Sequence, residues 1–599
     1  MFCYIYAFLT NFSHMLFTKF SQVTPMPKSK ILFFLKLALI PAALFLVFSI
    51  LNYSSNKSFT NYTHQMFLSE VSKNTLNLHY TLSDPAAYGI EDYEVTLGDS
   101  DVSSILEETM LLENYKNKLD RFSYNRLSKS NQLTYDILSL YLKNQSSAKD
   151  FYLYAEPLGS TTGTQAQLPV LFAEYTFNDR ADVDEYLSLL SQTDTYYESI
   201  LGYEQVKSQE GLFMSDPIAE EIIEQCRSFI ANPEDNFLLS IFDEKVDALP
   251  VISQEEAQSL KKQNRDAVMN HVIPAYQLLI DGLTELKGKG SNTGGLCYLE
   301  NGKAYYEYLI RANTGSYDSV ETIEKRLEQQ LETDFNELRN LLIQNPKILS
   351  SNTGELSLSS EPTEILADLQ AKLSKDFPTP PNVSYEVKYV HKSLEDFLSP
   401  AFYLTPPLDN LSQNVIYINQ ASNYTPLELY TTLAHEGYPG HLYQTIYSGY
   451  AGSNEVRSLL NFGGYVEGWA TYVEFYSYSL ADTDADIAAL YYLNRSIMLG
   501  ISSLLDIAIH YHGYSRAEIA GYLSQLGFTD PDTADSMYNA ILEAPANYLK
   551  YYVGCLSFMD LRDAVKEKDG DAFDLKEFHT QVLEIGPAPF PVLYKYMVG

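Results

Sequence analysis

The segment VETIEKRLEQQLETDFNELRNLLIQN, residues 320–345, repeats its apolar side chains at intervals of three and four residues. This spacing places them on one face of an α-helix, whereas a half-buried strand would alternate apolar and polar positions. The same helical spacing recurs along most of the chain, and no internal repeat or low-complexity tract interrupts it. The sequence therefore predicts a mainly α-helical protein.

Two short stretches depart from the helical pattern. VSYEVKYV at 383–390 and NVIYIN at 414–419 are rich in β-branched and aromatic residues, as expected of strands in a small sheet. A helix should begin soon after the second stretch, because Thr425 and Glu428 form a capping box around Pro426 at the first helical position. We expect the second strand to lie beside this helix and to offer its edge to an extended peptide.

Composition limits the class of protein. The 599 residues are 45% hydrophobic, which is typical of a globular protein. Asp and Glu number 77 against 41 Lys and Arg, and the net charge of −36 disfavours nucleic-acid partners. The four cysteines show no CxxC spacing, so a thiolate metal site is not indicated.

The N-terminal region predicts membrane targeting. Residues 31–51 are apolar at all but two positions and follow two lysines, and as a helix they would extend roughly 30 Å. We expect a transmembrane anchor or signal segment, with residues 1–30 cytoplasmic and Met26 an alternative start. A polar tether at 52–60 then leads to one large domain, 61–599, with a deep cleft. This domain would be extracytoplasmic, or secreted if the segment is cleaved.

The sequence AHEGYPGHLYQ begins like a zinc-protease motif and then departs from it. His435 and Glu436 open an HExxH pattern, but Pro439 stands where the second histidine belongs, and the next histidine is His441. Residues six apart on an unbroken helix differ by about 120° and cannot share a metal ion. Pro439 and Gly440 permit a bulge or kink that would return His441 to the face of His435.

A third metal ligand should come from the next helix. FGGYVEGWATYVEFY, residues 462–476, places Glu467 and Glu474 seven residues apart and so on one helical face. We select Glu467 as the ligand and Glu474 as the group that orients a ligating histidine. Both could instead be solvated charges, but their neighbours are too apolar for an exposed face.

These residues together indicate a hydrolytic site. Two histidines and one glutamate leave a fourth position on Zn²⁺ for water, whose pKa zinc lowers toward about 7. Glu436 stands where a general base is needed. Hydrolysis of an amide is the expected reaction.

The chain resembles the bacterial family catalogued as domain of unknown function 885, whose members are regarded as largely helical zinc-dependent peptidases. HEGYPGHLYQ and EGWATYVE are similar to two of its motifs. Further similar segments follow the family's order from about residue 75 to the C-terminus: NGKAYYEYLIRANTG, LLDIAIHYHGYSRAE, PANYLKYYVGCLSFMDLRDAV and FHTQVLEIGPAPFPVL.

The resemblance implies roles for individual residues. It implies that His435, His441 and Glu467 bind zinc and that Glu436 is the base. It also aligns Asp506 and His510 with an Asp/His pair of the family, and Tyr551 with a family tyrosine. His510 could stabilise the oxyanion with Asp506 holding its tautomer, and Tyr551 is a second oxyanion candidate.

The leading hypothesis is an exported, membrane-tethered zinc metallopeptidase that acts on oligopeptides. Two alternatives stay open: an amidohydrolase acting on a non-peptide or cell-wall amide, and a non-catalytic surface protein that retains the fold. The sequence leaves the oligomeric state undetermined, and it does not distinguish endopeptidase from exopeptidase action.

Overall fold

Helices form 69% of the structure and strands 3%. The computed structural model describes residues 28–160, 163–350, 358–392, 395 and 398–599, without the side chains of 28–44, 46 and 350. The prediction of a mainly α-helical protein with a small sheet is confirmed.

The N-terminal half contains a large apolar core that includes Tyr197, Leu260 and Leu279, and the helices between Thr164 and Leu286 contribute most of its residues. The helices of this half are α1 (Lys28–Val71), α2 (Thr75–Thr81), α3 (Val102–Leu119), α4 (Lys129–Ser147), α5 (Thr164–Glu174), α6 (Arg180–Leu190), α7 (Thr193–Gln209), α8 (Asp216–Ile230), α9 (Phe237–Asp247), α10 (Gln254–Ala267) and α11 (Ile273–Leu286).

The helices of the C-terminal half carry the motifs of the sequence analysis. They are α12 (Gly302–Thr314), α13 (Val320–Gln344), α14 (Pro362–Lys372), α15 (Pro426–Glu436), α16 (His441–Tyr450), α17 (Gly463–Ser477), α18 (Ala485–Ile507), α19 (Arg516–Gln525), α20 (Pro531–Glu543), α21 (Leu549–Asp569), α22 (Leu575–Ile585) and α23 (Phe590–Met597). A π-helical turn, Ala508–His512, continues α18.

Helix α13 is the segment whose spacing predicted the fold. Its predicted apolar face is buried at Val320, Ile323, Leu327 and Leu331, and this helix packs along α18. The Ser319 side chain caps its start by accepting a hydrogen bond from the Thr322 amide. The periodicity of three and four thus corresponds to a real buried face.

Helices α17 and α21 pack with their backbones in close approach. A Cβ atom built on Gly554 of α21 would lie 2.2 Å from the carbonyl oxygen of Gly464, and one on Gly468 would lie 2.5 Å from Gly554. Only glycine fits at such a crossing. The close approach brings the first turn of α21 beside the first turn of α17, as the contact between Lys550 and Gly463 shows.

Three strands form one mixed sheet in the order β1 (Tyr385–Tyr389), β3 (Asn414–Ile418), β2 (Ala401–Leu404). Strand β3 pairs in parallel with β1 and antiparallel with β2. Both predicted strands are present, but β3 is central and has no free edge. The expectation that β3 offers its edge to a peptide is therefore wrong, because β2, which we did not predict, occupies that edge.

The chain divides into two compact units. Among the described residues, one unit contains those up to Asn61 together with Phe122–Asn131, and the other contains those of Tyr62–Arg121 and Gln132–Gly599. The segment 52–60, expected to be a tether, lies within helix α1.

The expected membrane segment, 31–51, lies largely outside the residues whose side chains are described, as does all of 1–27. Among the described residues, no helix is both long and apolar enough to cross a membrane.

Candidate metal centre

Helix α15 ends on the two residues that open the zinc-protease-like motif. Its capping box forms as predicted: the Thr425 side chain accepts from the Glu428 amide, and Glu428 accepts from the Thr425 amide. Pro426 occupies the first helical turn. The helix stops at Glu436, so His435 and Glu436 lie in its last turn.

The four residues after α15 form a tight turn that leads into α16. A Cβ atom on Gly440 would lie 1.7 Å from the carbonyl oxygen of His435, so this turn requires glycine. The Trp469 indole donates a 2.9 Å hydrogen bond to the Pro439 carbonyl and ties the turn to α17. We predicted a bulge or kink within one helix, whereas the helix ends and α16 begins afresh at His441.

This turn brings the two histidines together with Glu467 of α17. The imidazole rings lie 4.8 Å apart at 81°. Glu467 Oε2 is 3.6 Å from His435 Nε2 and 3.4 Å from His441 Nε2. One ligand atom from each residue lies within 4.8 Å of the others. The three predicted ligands therefore converge on one point.

The spacing of these atoms fits a tetrahedral ion. Two ligands bound at 2.0–2.1 Å in tetrahedral geometry lie about 3.4 Å apart, close to the observed separations. Glu467 Oε2 is buried and has no hydrogen-bond partner within the described residues. A buried carboxylate oxygen without a partner is costly unless a cation faces it. The donor set of two nitrogens and one oxygen suits Zn²⁺.

Glu474 contacts His435, one of the two histidines that we expected it to orient. Its Oε2 atom lies 3.0 Å from His435 Nδ1, which directs Nε2 of the same ring toward Glu467. The carboxylate is 6% exposed, and the Arg495 guanidinium of α18 binds it through Nε at 2.8 Å. Burial opposes the charged form of Glu474, but Arg495 and then His435 outweigh it and hold its pKa below the usual range.

The carboxylates also determine the charge of His435. Burial alone would lower the pKa of His435, but the neighbouring carboxylates of Glu467 and Glu474 raise this pKa to about 10. Burial likewise opposes the charge of Glu467, and the two histidines together hold its pKa well below the usual range. The site thus favours a positive charge between its carboxylates, carried by a proton or by a metal ion.

Glu436 is fixed by a backbone contact from the sheet. Its Oε2 atom accepts a 2.9 Å hydrogen bond from the Tyr403 amide on β2. Because that amide points at Glu436, it lies on the edge of β2 that does not face β3. Burial raises the pKa of Glu436, while the neighbouring His441 and His435 act in the opposite direction. A carboxylate with a raised pKa is suited to accept a proton near neutral pH.

Tyr551 and Lys550 lie in the first turn of α21, beside the cluster. Burial, followed by the charges of Glu467 and Glu436, raises the pKa of Tyr551, so its hydroxyl keeps its proton. Lys550 Nζ is 4.0 Å from Glu467 Oε1 and 5.1 Å from the centre of the Tyr551 ring. The predicted residue Tyr551 therefore belongs to this site.

His510 does not have the predicted environment. Its Nε2 lies 2.9 Å from the Ile541 carbonyl, and its Nδ1 accepts from the Leu296 amide at 3.3 Å. Both ring nitrogens are therefore used by the backbone, which leaves no proton for an oxyanion. Burial lowers the pKa of His510 to about 4, consistent with a neutral ring. The prediction that His510 stabilises the oxyanion is not supported by this geometry.

Asp506 binds other partners than His510. The fully buried carboxylate accepts from the Tyr306 hydroxyl at 2.5 Å and from the Ala546 amide at 3.0 and 3.1 Å. Ala546 has a φ of 61°, a left-handed conformation that is unfavourable for alanine. Asp506 thus holds the strained turn that precedes α21, and with it the position of Tyr551. The predicted Asp506–His510 pair does not form.

Three groups at the site were missed by sequence reasoning. They are the Tyr403 amide, Arg495 and Lys550. The first belongs to a four-residue strand with no alternating pattern, and the other two lie on helices far apart in the chain. Lys550 precedes Tyr551 in the segment PANYLKYYVGCLSFMDLRDAV, and this adjacency was the one sequence signal that could have placed Lys550 at the site.

The fold and the site together define a mainly helical protein with a His–His–Glu cluster that could hold a metal ion. The family described as "Bacterial protein of unknown function (DUF885)" matches residues 85–597. The chain belongs to this family, which confirms the family named in the sequence analysis.

Solved structures share the fold. A protein described as a "putative lipoprotein" from Colwellia psychrerythraea is 19% identical with a TM-score of 0.80, covering 91% of this chain and 98% of its own. A "putative lipoprotein of unknown function" from Shewanella oneidensis is 16% identical with a TM-score of 0.63, covering 90% and 100%. At these identities the likeness concerns the fold alone. No curated protein matches the chain.

Proposed function

We propose that this chain is a zinc-dependent metallopeptidase that hydrolyses peptide bonds of oligopeptides. The observation that carries the proposal is the convergence of His435, His441 and Glu467, whose spacing suits one tetrahedral ion. When bound there, zinc would supply Lewis-acid activation of a water molecule and of the substrate carbonyl.

The protein's own groups perform the proton transfers. Glu436 accepts a proton from the attacking water as the new C–O bond forms, and it returns that proton to the amine nitrogen as the C–N bond breaks. The Tyr403 amide keeps the carboxylate of Glu436 oriented during both transfers. The Tyr551 hydroxyl donates a hydrogen bond to the carbonyl oxygen as negative charge develops on it.

The outward edge of β2 gives the substrate its orientation. An extended peptide adding to this edge would lie beside Glu436, because the Tyr403 amide on that edge already contacts its carboxylate. This replaces our expectation that β3 receives the peptide. Binding along a strand edge also explains why peptides, with their repeating backbone groups, are the favoured substrate class.

We further propose that the catalytic domain acts outside the cytoplasm and is attached to the membrane through the N-terminal segment. The apolar run at 31–51 supports export. The description of both structural relatives as lipoproteins agrees with attachment at a membrane surface.

The test combines zinc stoichiometry with mass spectrometry of cleavage products. Full-length protein purified in detergent should hold one zinc ion per chain and cleave members of a mixed peptide library. Zinc without cleavage of any peptide would favour an amidohydrolase acting on another amide. The absence of tightly bound zinc would instead favour a non-catalytic surface protein.

A further inference from the structure

Lys550 stands at the candidate metal centre, where its ammonium has only two long contacts among the described residues, one with Glu467 and one with the ring of Tyr551. Its aliphatic stem packs against Gly463, where a Cβ atom would lie 3.3 Å from Lys550 Cδ. This packing directs the ammonium along α17 toward Glu467, whose Oε1 atom is 4.0 Å away. That separation is an ion pair at its outer limit and too long for a hydrogen bond. Within the described residues, Lys550 Nζ forms no hydrogen bond.

The ammonium remains accessible at the cluster. The Lys550 side chain is 24% exposed, so a molecule entering the site can reach it. The other cation near the cluster, Arg495, is committed to Glu474 through its Nε atom at 2.8 Å and a second nitrogen at 3.5 Å. Lys550 is therefore the cation that a bound anion would meet.

The position of Lys550 limits which anion it can bind. The ammonium approaches one oxygen of Glu467, while the imidazoles approach the other oxygen at 3.4 and 3.6 Å. An extended residue spans about 3.5 Å. An anionic group on a peptide would thus lie one or two residues beyond the bond under attack. The C-terminal carboxylate is the anion that every peptide carries at such a fixed distance from its last bonds.

We propose that Lys550 binds the C-terminal carboxylate of the substrate and makes this enzyme a carboxypeptidase that releases one or two residues. The inference rests on the proposed peptidase function and assigns its substrate class. In a chain with a net charge of −36, a lysine at the metal centre counters the general repulsion of anionic substrate termini. Its attraction acts at short range, where the partly buried site screens charge weakly.

The first experiment compares two forms of the same peptides on zinc-loaded, full-length protein. Each N-acetylated peptide is supplied with a free C-terminal acid or with a C-terminal amide, and products are followed by mass spectrometry. We expect kcat/KM to be about 10- to 100-fold higher for the acid, the range for a charged hydrogen bond. Equal rates for acid and amide would overturn the inference while leaving the peptidase proposal intact. Cleavage of neither would instead remove the peptidase proposal.

A side-chain carboxylate is a second source of the same chemistry. Amidated peptides with Glu or Asp as the last residue separate the two sources. We expect them to be cleaved as slowly as other amides. If they are cleaved as fast as free acids, Lys550 reads an acidic side chain and the proposed carboxypeptidase specificity is wrong.

A binding measurement removes the dependence on turnover. In the Glu436→Gln background, calorimetry should show tighter binding of a peptide acid than of its amide. Adding Lys550→Met should reduce acid binding to the level of the amide, whereas Lys550→Arg should retain most of the difference. Unchanged acid binding in the Lys550→Met protein, with its zinc content intact, would overturn the inference. The acid and amide comparison on the unmodified protein stands even if Lys550→Met folds poorly.

Discussion

Glu436 accepts a hydrogen bond from one amide and lies near two imidazoles. Because it is not one of the proposed metal ligands, its charge can be removed without removing a ligand. Glu436→Gln keeps the size and the hydrogen bond from Tyr403 but removes the base. We expect zinc content to stay the same and kcat to fall on the order of 10² or more. Zinc analysis and steady-state kinetics on the same preparation provide the check. Retained activity would reject Glu436 as the base.

Tyr551 and His510 were both oxyanion candidates, and their surroundings now distinguish them. Tyr551→Phe removes a protonated hydroxyl beside the cluster, and we expect kcat to fall about 10- to 100-fold with KM little changed. His510→Gln should lower stability, because two backbone contacts are disturbed, but kcat per folded molecule should stay within about twofold. Kinetics corrected for the folded fraction, measured by near-ultraviolet circular dichroism, separate the two. A large loss of kcat only in the His510 variant would reverse this assignment.

At the level of residues, the convergence of the candidate metal ligands could be predicted because their chemistry and spacing are local. His435, His441, Glu467 and Glu474 come from two short segments, and their positions follow from one turn and one helix. The pairing of Asp506 with His510 was predicted because residues four positions apart on a regular helix share a face. Sharing a face did not pair them, because partners from elsewhere in the chain engage each one: Asp506 binds Tyr306 and Ala546, and His510 contacts Leu296 and Ile541.

The crossing of α17 and α21 positions the first turn of α21 at the metal centre. Gly554→Ala would place a Cβ atom 2.2 Å from a backbone oxygen, so we expect a loss of about 3 kcal/mol in the free energy of unfolding. Displacement of α21 should also lower kcat by moving Tyr551. Urea denaturation and kinetics measure the two effects.

Gly521 in α19 provides the matched control. A Cβ atom there meets nothing within 4 Å. Gly521→Ala should therefore stabilise the protein by about 0.5–1 kcal/mol through helix propensity, with kcat unchanged. If both substitutions had the same effect on stability, the close crossing would not be the cause.

At the level of elements, the helices and the two strands with a clear pattern followed from periodicity and capping. The start of α15 is an example, since Thr425, Pro426 and Glu428 specify it locally. Strand β2 could not be predicted, because four residues are too few to show alternation and their pairing with β3 is a tertiary event. The end of α15 at Glu436 was harder to foresee than a kink, since the turn that follows is tied by a hydrogen bond from the distant Trp469 to the Pro439 carbonyl.

For the molecule as a whole, two buried histidines predict sensitivity to acid. Burial lowers the pKa of His510 and of His579 to about 4, from 6.5 in the unfolded chain. Protons therefore bind the unfolded state more readily. The contribution of these neutral histidines to the free energy of unfolding is therefore complete above pH 6.5. It is lost as the pH falls from 6.5 through about 4. Each histidine should account for on the order of 3 kcal/mol of this loss.

Urea unfolding at pH 7 and pH 4.5 tests this contribution. The measurements should be made in the presence of a chelator, so that loss of metal does not enter. His510→Gln should be less stable at pH 7 but should lose less stability between the two pH values than the unmodified protein does. An identical loss in both proteins would show that His510 is not neutral in the folded state.

The central claim is that His435, His441 and Glu467 share one metal ion. Anomalous X-ray diffraction at the zinc absorption edge, on crystals of the full-length protein grown with zinc, tests it most directly. The account predicts one strong anomalous peak among these three side chains, about 2 Å from one atom of each. Crystals with zinc bound elsewhere, and no peak among these three side chains, would contradict it.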